Sequence, residues 1–325
     1  MIMILGVLGS GSWGSAIAVH FGRLGFKVIQ WCREEDVAES INRERENRRY
    51  LPGISYPDTV EAISDVERFF KRVGDVIFSV IPAQFSRDFW SRFKDELKRR
   101  RVICASKGIE ISSLNLLSQV YKEVVGGKYF VLSGPTFARE VAKGLPSAAV
   151  VAGEDKEETF ALVNMLSSKI FRLYSSNDVI GVETGGAMKN VVAIAAGISD
   201  GMGLGNNARA ALITRGLHEI KNLGVRLGAQ ERTFYGLSGM GDLILTCTGD
   251  LSRNRQFGLS IGKRTGKVDE KYVVEGVHTV RAAVELAKKL NVEMPIAEAV
   301  YSVVHDGKDP ERVMVELLSR PVKEE

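Results

Sequence analysis

Four short stretches of this 325-residue chain carry side chains whose types and surroundings could do chemistry. Lys107 stands in Ala105-Ser106-Lys107-Gly108, directly after a short apolar run. Lys189 and Asn190 close Gly185-Gly186-Ala187-Met188-Lys189-Asn190 and head the smooth apolar run Val191–Ile198. An ammonium and an amide in such a helix are costly unless they face a polar cleft; a lysine that snorkels to the surface is the plainer alternative. Asp242, flanked by glycines and then by apolar residues in Gly239-Met240-Gly241-Asp242-Leu243-Ile244-Leu245-Thr246-Cys247-Thr248, is a candidate buried carboxylate. Ser252-Arg253-Asn254-Arg255 opens a helix with a good N-cap residue. The free N–H groups there, with Arg253, make a compact phosphate site, although Ser252 could serve as a cap alone.

A fifth stretch is the N-terminal Gly9-Ser10-Gly11-Ser12-Trp13-Gly14, which fits G-x-G-x-x-G. The pattern alone is weak, and a plain turn would also contain glycines. Here it follows an apolar strand and opens a helix, the context a dinucleotide fingerprint needs. Gly9 permits the tight turn, Gly11 lets backbone approach a pyrophosphate, and Gly14 lets the helix pack close to the strand. The helix N-terminus then offers unpaired N–H groups to the phosphates. Some 20 residues on, where an acid would favour NAD, the chain reads Cys32-Arg33-Glu34. A guanidinium at Arg33 suits a ribose 2′-phosphate, and Glu34 beside it leaves NAD open. A solvated loop charge is the alternative for Arg33.

The elements that must hold these residues follow from periodicity. Strands are expected at Met3–Leu8, Lys27–Trp31, Asp75–Ile81, Val102–Ala105, Tyr129–Leu132, Ser147–Ala152 and Ile170–Tyr174. Helical patterns at Ser15–Leu24, Ser86–Lys98, Ser113–Val124 and Glu157–Ser167 alternate with them. Strand–helix alternation argues for a doubly wound, mostly parallel sheet of Rossmann type, with ligands beyond the carboxyl ends of the strands. Three loops there carry polar groups: Ser79-Val80-Ile81-Pro82, the Lys107 loop, and Ser133-Gly134-Pro135-Thr136-Phe137-Ala138-Arg139-Glu140. Beyond about residue 180 helices dominate: Val182–Met202, Ala208–Leu223, Ser252–Gly262, Val280–Leu290, Pro295–His305 and Pro310–Leu318. The expected division is a dinucleotide-binding domain over 1–180 and an all-helical substrate domain over 181–325.

Composition excludes several classes. The chain is 45% hydrophobic and 26% charged, ordinary for a globular protein. A net charge of +4 gives no reason to expect nucleic acid. Cys32, Cys104 and Cys247 lack metal spacing and are too few for a disulfide framework, which suits a reducing cytoplasm. His20, His218, His278 and His305 form no ligand pattern, so no metal is expected. No apolar stretch is expected to reach the roughly 18 residues that span a bilayer. The short apolar start lacks the basic leader of a secretory signal, and the Lys323-Glu324-Glu325 end reads as a frayed tail. The apolar helices of the second half could bury a dimer contact or only one another.

At this point the blocks together resemble the bacterial-type NAD(P)-dependent glycerol-3-phosphate dehydrogenases, nearly end to end. The resemblance is carried by GSGSWGSA (9–16), SKG (106–108), SGPTFARE (133–140), GGAMKNVVAIAAGISDGMGLGNNARAALITRG (185–216), GMGDLILTCTGDLSRNR (239–255) and VVEG (273–276). It implies interconversion of sn-glycerol 3-phosphate and dihydroxyacetone phosphate with NAD or NADP, supplying phospholipid synthesis. It implies that Lys189 is the acid–base residue and that Lys107 stands at the substrate carbonyl, with Asn190, Asp242 and Thr246 around them. Gly134, Thr136, Ser252, Arg253 and Asn254 are implied substrate contacts. Ser12, Trp13, Arg33, Lys107, Ala138, Arg253, Val273 and Glu275 are implied cofactor contacts. Arg209 departs from the lysine of the family pattern and lies outside the implied chemistry.

Physical chemistry bears on these roles. Hydride arriving at a ketone puts negative charge on its oxygen, which needs a proton or a fixed cation. A lysine at its ordinary pKa of about 10.4 exchanges protons poorly near neutrality. Burial and Lys107 nearby would lower it, while Asp242 would raise it; sequence leaves the winner open. A hydroxy-acid dehydrogenase or a non-catalytic dinucleotide sensor are the rivals, and neither explains two lysines beside a phosphate site.

Overall fold

The computed structural model describes residues 3–265 and 274–319. The chain divides into two compact units, 1–106 with 117–179, and 107–116 with 180–325. The segment 107–116, which periodicity assigned to the first half, therefore belongs with the helical unit.

The first unit is built on eight strands: β1 (Ile4–Leu8), β2 (Lys27–Trp31), β3 (Val60–Ile63), β4 (Val76–Ser79), β5 (Arg101–Cys104), β6 (Lys128–Ser133), β7 (Ser147–Gly153) and β8 (Phe171–Ser176). They order as β3-β2-β1-β4-β5-β6-β7-β8. All neighbours are parallel except β6 and β7. This is the mostly parallel doubly wound sheet expected. The chain reverses direction across the sheet between β1 and β4, which makes a switch point beyond their carboxyl ends. Alternation divides the core: Val76, Phe78 and Ile103 pack on one face with Ile17, Phe21 and Val141. Ile77, Val102 and Cys104 pack on the other with Phe69, Trp90 and Tyr121. Both faces are apolar because helices cover both.

Within this unit three helices and one strand escape the periodicity reading. β3 has only four residues, and its Glu61 pairs with Arg72 instead of pointing into a core. The helices Glu35–Glu44, Val66–Arg72 and Ala138–Lys143 are short and charge-rich. The last is too short to carry a parallel crossover, and β7 returns antiparallel to β6.

Apart from the strap 107–116 and the connecting loops, the second unit's described residues form helices. Its centre is the helix Val179–Gly201, buried along nearly its whole length. One expectation needs correction here. By length and composition this 23-residue helix, mean hydropathy 1.2, is long and apolar enough to cross a bilayer. However, 89% of its most apolar window is buried, as in the core helix of a bundle. Around it lie Gly205–Arg226, Asp242–Thr248, Arg253–Gly262, Glu275–Leu290, Pro295–Val304 and Pro310–Leu318. Ile109, Leu114 and Leu116 of the strap 107–116 are buried in this second core, which accounts for its departure from the sheet unit.

Candidate active site

The lysines at 107 and 189 meet on one carboxylate. Lys189 Nζ donates to Asp242 Oδ1 at 2.5 Å, and Lys107 Nζ donates to Asp242 Oδ2 at 2.6 Å. Lys189 Nζ also donates to Thr246 Oγ1 at 2.8 Å, while Thr246 Oγ1 donates to the Asp242 carbonyl at 2.6 Å. An ammonium has three donors, so one N–H of Lys189 remains for another acceptor.

Local structure explains how Asp242 reaches this position. Leu237–Gly241 forms one wide π-helical turn before the helix Asp242–Thr248 begins. Such turns recur at functional sites because they re-aim the residue that follows. The long helix can lie against this turn only through Gly185, where a Cβ would sit 2.6 Å from the Ser238 carbonyl oxygen. Asp242 and Lys189 are thus carried on tightly packed neighbouring segments. Lys107 arrives from the separate strap.

Burial sets the electrostatics. Lys189 is 7% exposed and Asp242 1%. Loss of water pulls the Lys189 ammonium down and Asp242 pulls it back up; Lys107 lowers it further, leaving it at about 7. Desolvation wins the contest that sequence could not decide. Burial alone would raise Asp242, but Lys107 and Lys189 outweigh it and hold the carboxyl below its ordinary value. The pair of lysines therefore keeps Asp242 ionised, and Asp242 keeps two ammonium groups together.

Asn190 and Asn254 join this centre to the candidate phosphate site. Asn254 Nδ2 donates to Asn190 Oδ1 at 2.9 Å, and Asn254 Oδ1 accepts from Gly276 N at 3.0 Å. Ser252 caps the Arg253–Gly262 helix by accepting from Arg255 N at 3.2 Å. Its hydroxyl proton stays available, so capping and ligand binding are compatible. Arg253 is exposed at the first helical position. Glu275 opens the neighbouring helix, and Val273 lies outside the described residues.

The remaining candidates lie in the sheet unit. Gly9 has φ +118° and no room for a Cβ, which would meet the Val80 carbonyl oxygen at 2.9 Å. A Cβ on Gly14 would sit 2.2 Å from the Gly9 carbonyl oxygen. A Cβ on Gly11 would meet nothing within 4 Å, so open space lies over the loop there. No side chain caps the helix Ser12–Arg23, which leaves its first N–H groups facing that space. An open glycine cradle under an uncapped helix start fits a pyrophosphate. Ser12 Oγ donates to the Tyr50 carbonyl at 2.7 Å, and Trp13 packs against the sheet core. Arg33 is 75% exposed and pairs with Glu34 at 2.8 Å. Gly134 has φ +150°, Thr136 Oγ1 donates back to the Gly134 carbonyl, and Ala138 opens a short helix after β6.

Sequence reasoning missed two groups. Asn47 is fully buried and holds the glycine loop from beneath: its Nδ2 donates to the Ser10 carbonyl and to Ser15 Oγ, both at 2.8 Å. Asp200 and Arg255 form a largely buried ion pair behind the phosphate helix, with Arg209 attached. Only the NNAR departure pointed toward the second group.

Comparison with known proteins is decisive on kinship. Residues 4–159 match the family described as NAD-dependent glycerol-3-phosphate dehydrogenase N-terminus, and residues 178–315 match its C-terminus counterpart. The chain belongs to the glycerol-3-phosphate dehydrogenase family. It is an oxidoreductase that works with NAD or NADP. A glycerol-3-phosphate dehydrogenase [NAD(P)+] of Solidesulfovibrio magneticus is 46% identical, over 99% of this chain and all of the relative. One from Carboxydothermus hydrogenoformans is 44% identical over 98% of this chain and 97% of its own. The crystal structure of glycerol-3-phosphate dehydrogenase from Coxiella burnetii superposes with a TM-score of 0.92 at 38% identity, covering 98% and 99% of the two chains. A D-mandelate dehydrogenase, at 13% identity and a TM-score of 0.58, shares the fold alone.

Proposed function

We propose that this dehydrogenase interconverts sn-glycerol 3-phosphate and dihydroxyacetone phosphate, with Lys189 as the general acid and base. The observation that carries the reading is Asp242 bridging two ammonium groups, with Lys189 buried and drawn down to about 7. In the direction of ketone reduction, the free N–H of Lys189 delivers a proton to the carbonyl oxygen as charge builds there. Lys107, bonded to the other oxygen of Asp242, adds electrostatic stabilisation of that charge. Asp242 and Thr246 orient the Lys189 ammonium by taking its other two donors. When bound, the nicotinamide supplies or accepts the hydride.

Ser252, Arg253 and Asn254 are assigned to the substrate phosphate, whose remote binding energy positions the carbonyl. Gly134 and Thr136 complete the substrate contacts. Gly9, Gly11, Ser12, Trp13 and Gly14 are assigned to the dinucleotide pyrophosphate, and Arg33 to a 2′-phosphate. Ala138, Val273 and Glu275 are assigned to the cofactor with Lys107 and Arg253. The physiological setting proposed is the cytoplasm, where the enzyme makes glycerol 3-phosphate for phospholipid headgroups. The apolar groove of about 1100 Å³ lined by Leu204, Leu212, Met240, Val313 and Leu317 supports a homodimer; light scattering that reports a single copy removes that part.

The test of the reading is a spectrophotometric assay with dihydroxyacetone phosphate and NADPH. Oxidation of NADPH that depends on the ketone phosphate supports it. Oxidation with a 2-keto acid and none with the triose phosphate overturns it.

A further inference from the structure

The helix Arg253–Gly262 begins with the residues assigned above to the substrate phosphate. It lies against the long helix Val179–Gly201 with almost no side chain between them. A Cβ on Gly258 would sit 2.1 Å from the Ile194 carbonyl oxygen, and one on Gly197 would sit 2.0 Å from the Arg255 carbonyl oxygen. Backbones in such contact fix the distance between helices. Ile194 and Ile198 of the long helix and Phe257 and Ile261 of the phosphate helix pack in the same core beside this contact. Apolar packing carries no preference for where the polar helix start points, and directional ties can supply one.

Two polar ties do so. One is the Asn190–Asn254 hydrogen bond at the site itself. The other is Arg255, buried one residue farther along. Its Nε and Nη2 donate to Asp200 Oδ2 at 3.0 and 2.8 Å, and its Nη1 donates to Asp250 Oδ1 at 2.8 Å. Asp200 also accepts from Arg209 Nη1 at 3.2 Å on both oxygens. Asp200 lies on the same helix as Lys189, roughly 16 Å farther along at 1.5 Å per residue. Asp250 lies on the loop that enters the phosphate helix, and Gln256 Nε2 holds its carbonyl at 3.1 Å. One guanidinium therefore clamps the approach loop, the phosphate helix and the lysine-bearing helix together. Two carboxylates surround it, so its charge is already matched and it is not itself placed to take an anion.

Resting on the phosphate assignment above, we propose that Arg255, anchored by Asp200, is a positioning residue for the substrate phosphate. It sets the rotation of the Arg253–Gly262 helix relative to Lys189. It touches neither substrate nor cofactor.

The experiment is steady-state reduction of dihydroxyacetone phosphate by NADPH with the full-length enzyme and four variants. Arg255→Gln is expected to raise KM for the triose phosphate by about tenfold or more, the scale of a lost charge-assisted tie. Its kcat should stay within about threefold, and KM for NADPH, to which Arg253 is also assigned, should rise less than KM for the triose phosphate. Arg255→Lys should recover part of the loss, since it keeps the charge and one donor direction. Asp250→Asn alters an exposed group (89%), so the fold tolerates it; a rise of roughly threefold in the same KM is expected, with an unchanged melting temperature. An unchanged KM in a folded Arg255→Gln overturns the proposal. So does a loss of kcat, both KM values and melting temperature together that lysine does not rescue. If Arg255→Gln fails to fold, Asp250→Asn decides: a KM rise supports and no rise overturns. Arg253→Ala separates the two levels. If it leaves KM unchanged, the phosphate assignment itself falls and takes this inference with it. If it raises KM while the Arg255 and Asp250 variants do not, only the positioning role falls.

Discussion

The glycine loop of the sheet unit and the lysine centre of the helical unit solve opposite problems. The loop is uncharged and open. Its backbone is held from behind by amides and hydroxyls: Asn47 on Ser10 and Ser15, Gln30 Nε2 on the Gly9 carbonyl at 3.0 Å, and Ser15 Oγ on the Ser10 carbonyl at 3.1 Å. The lysine centre is closed and charged, with Asp242 nine parts in ten hidden from water or more. A binding loop needs shape and N–H groups, which neutral scaffolding supplies without disturbing a bound anion. A proton-transfer centre needs a shifted pKa, which only burial and close charges supply. The contrast teaches where each region should be fragile: the loop in cofactor affinity, the centre in turnover.

Three substitutions can break or sharpen that contrast. The largest effect belongs to Lys189→Ala, which should lower kcat at least about a hundredfold, the scale of a lost general acid–base group. NADPH affinity, read by fluorescence titration, should not change. Near-normal turnover would remove Lys189 from the chemistry. Next is Arg33→Ala. It should weaken NADPH about tenfold, the scale of one lost contact to a charged phosphate, and leave NADH nearly unaffected. Equal weakening would argue that Arg33 does not meet a 2′-phosphate. The smallest is Asn47→Ala, which strips two acceptors of a buried donor and leaves Tyr50 N, now bonded to Asn47 Oδ1 at 3.0 Å, without its partner. KM for NADPH should rise roughly fivefold, within the range of one unsatisfied buried group, with kcat within about twofold. If turnover falls instead, the loop and the centre are not separable as claimed.

The same contrast explains what could be read from sequence. The glycine loop is local, and strand, turn and helix start all fall within 20 residues, so its motif announced it. The lysine centre is assembled from residues far apart in the chain. Lys189 stood out because a charge interrupts an apolar helix, and Asp242 because glycines flank it. Their meeting with Lys107 was implied by resemblance and became geometry only in the structure. The strap 107–116 was not legible, because Ile109, Leu114 and Leu116 say that they are buried but not against which core. β3 and the short charged helices carry too few apolar residues for periodicity to register. The π-helical turn before Asp242 is set by tight packing at Gly185 and Gly239 and leaves no periodic trace. Arg255 and Asp200 lie 55 residues apart, and neither segment marks the other as its partner until the helices pack.

The most direct test of the account is the pH dependence of kcat in both directions, on wild-type enzyme at saturating substrates. Ketone reduction consumes a proton, so it needs Lys189 charged and should fall as pH rises through about 7. Alcohol oxidation needs the neutral amine and should fall as pH drops through the same region. Opposed profiles with midpoints near neutrality are the predicted result. Profiles that run in the same direction, or a reduction rate that holds until the range of an ordinary lysine at about 10.4, would contradict it.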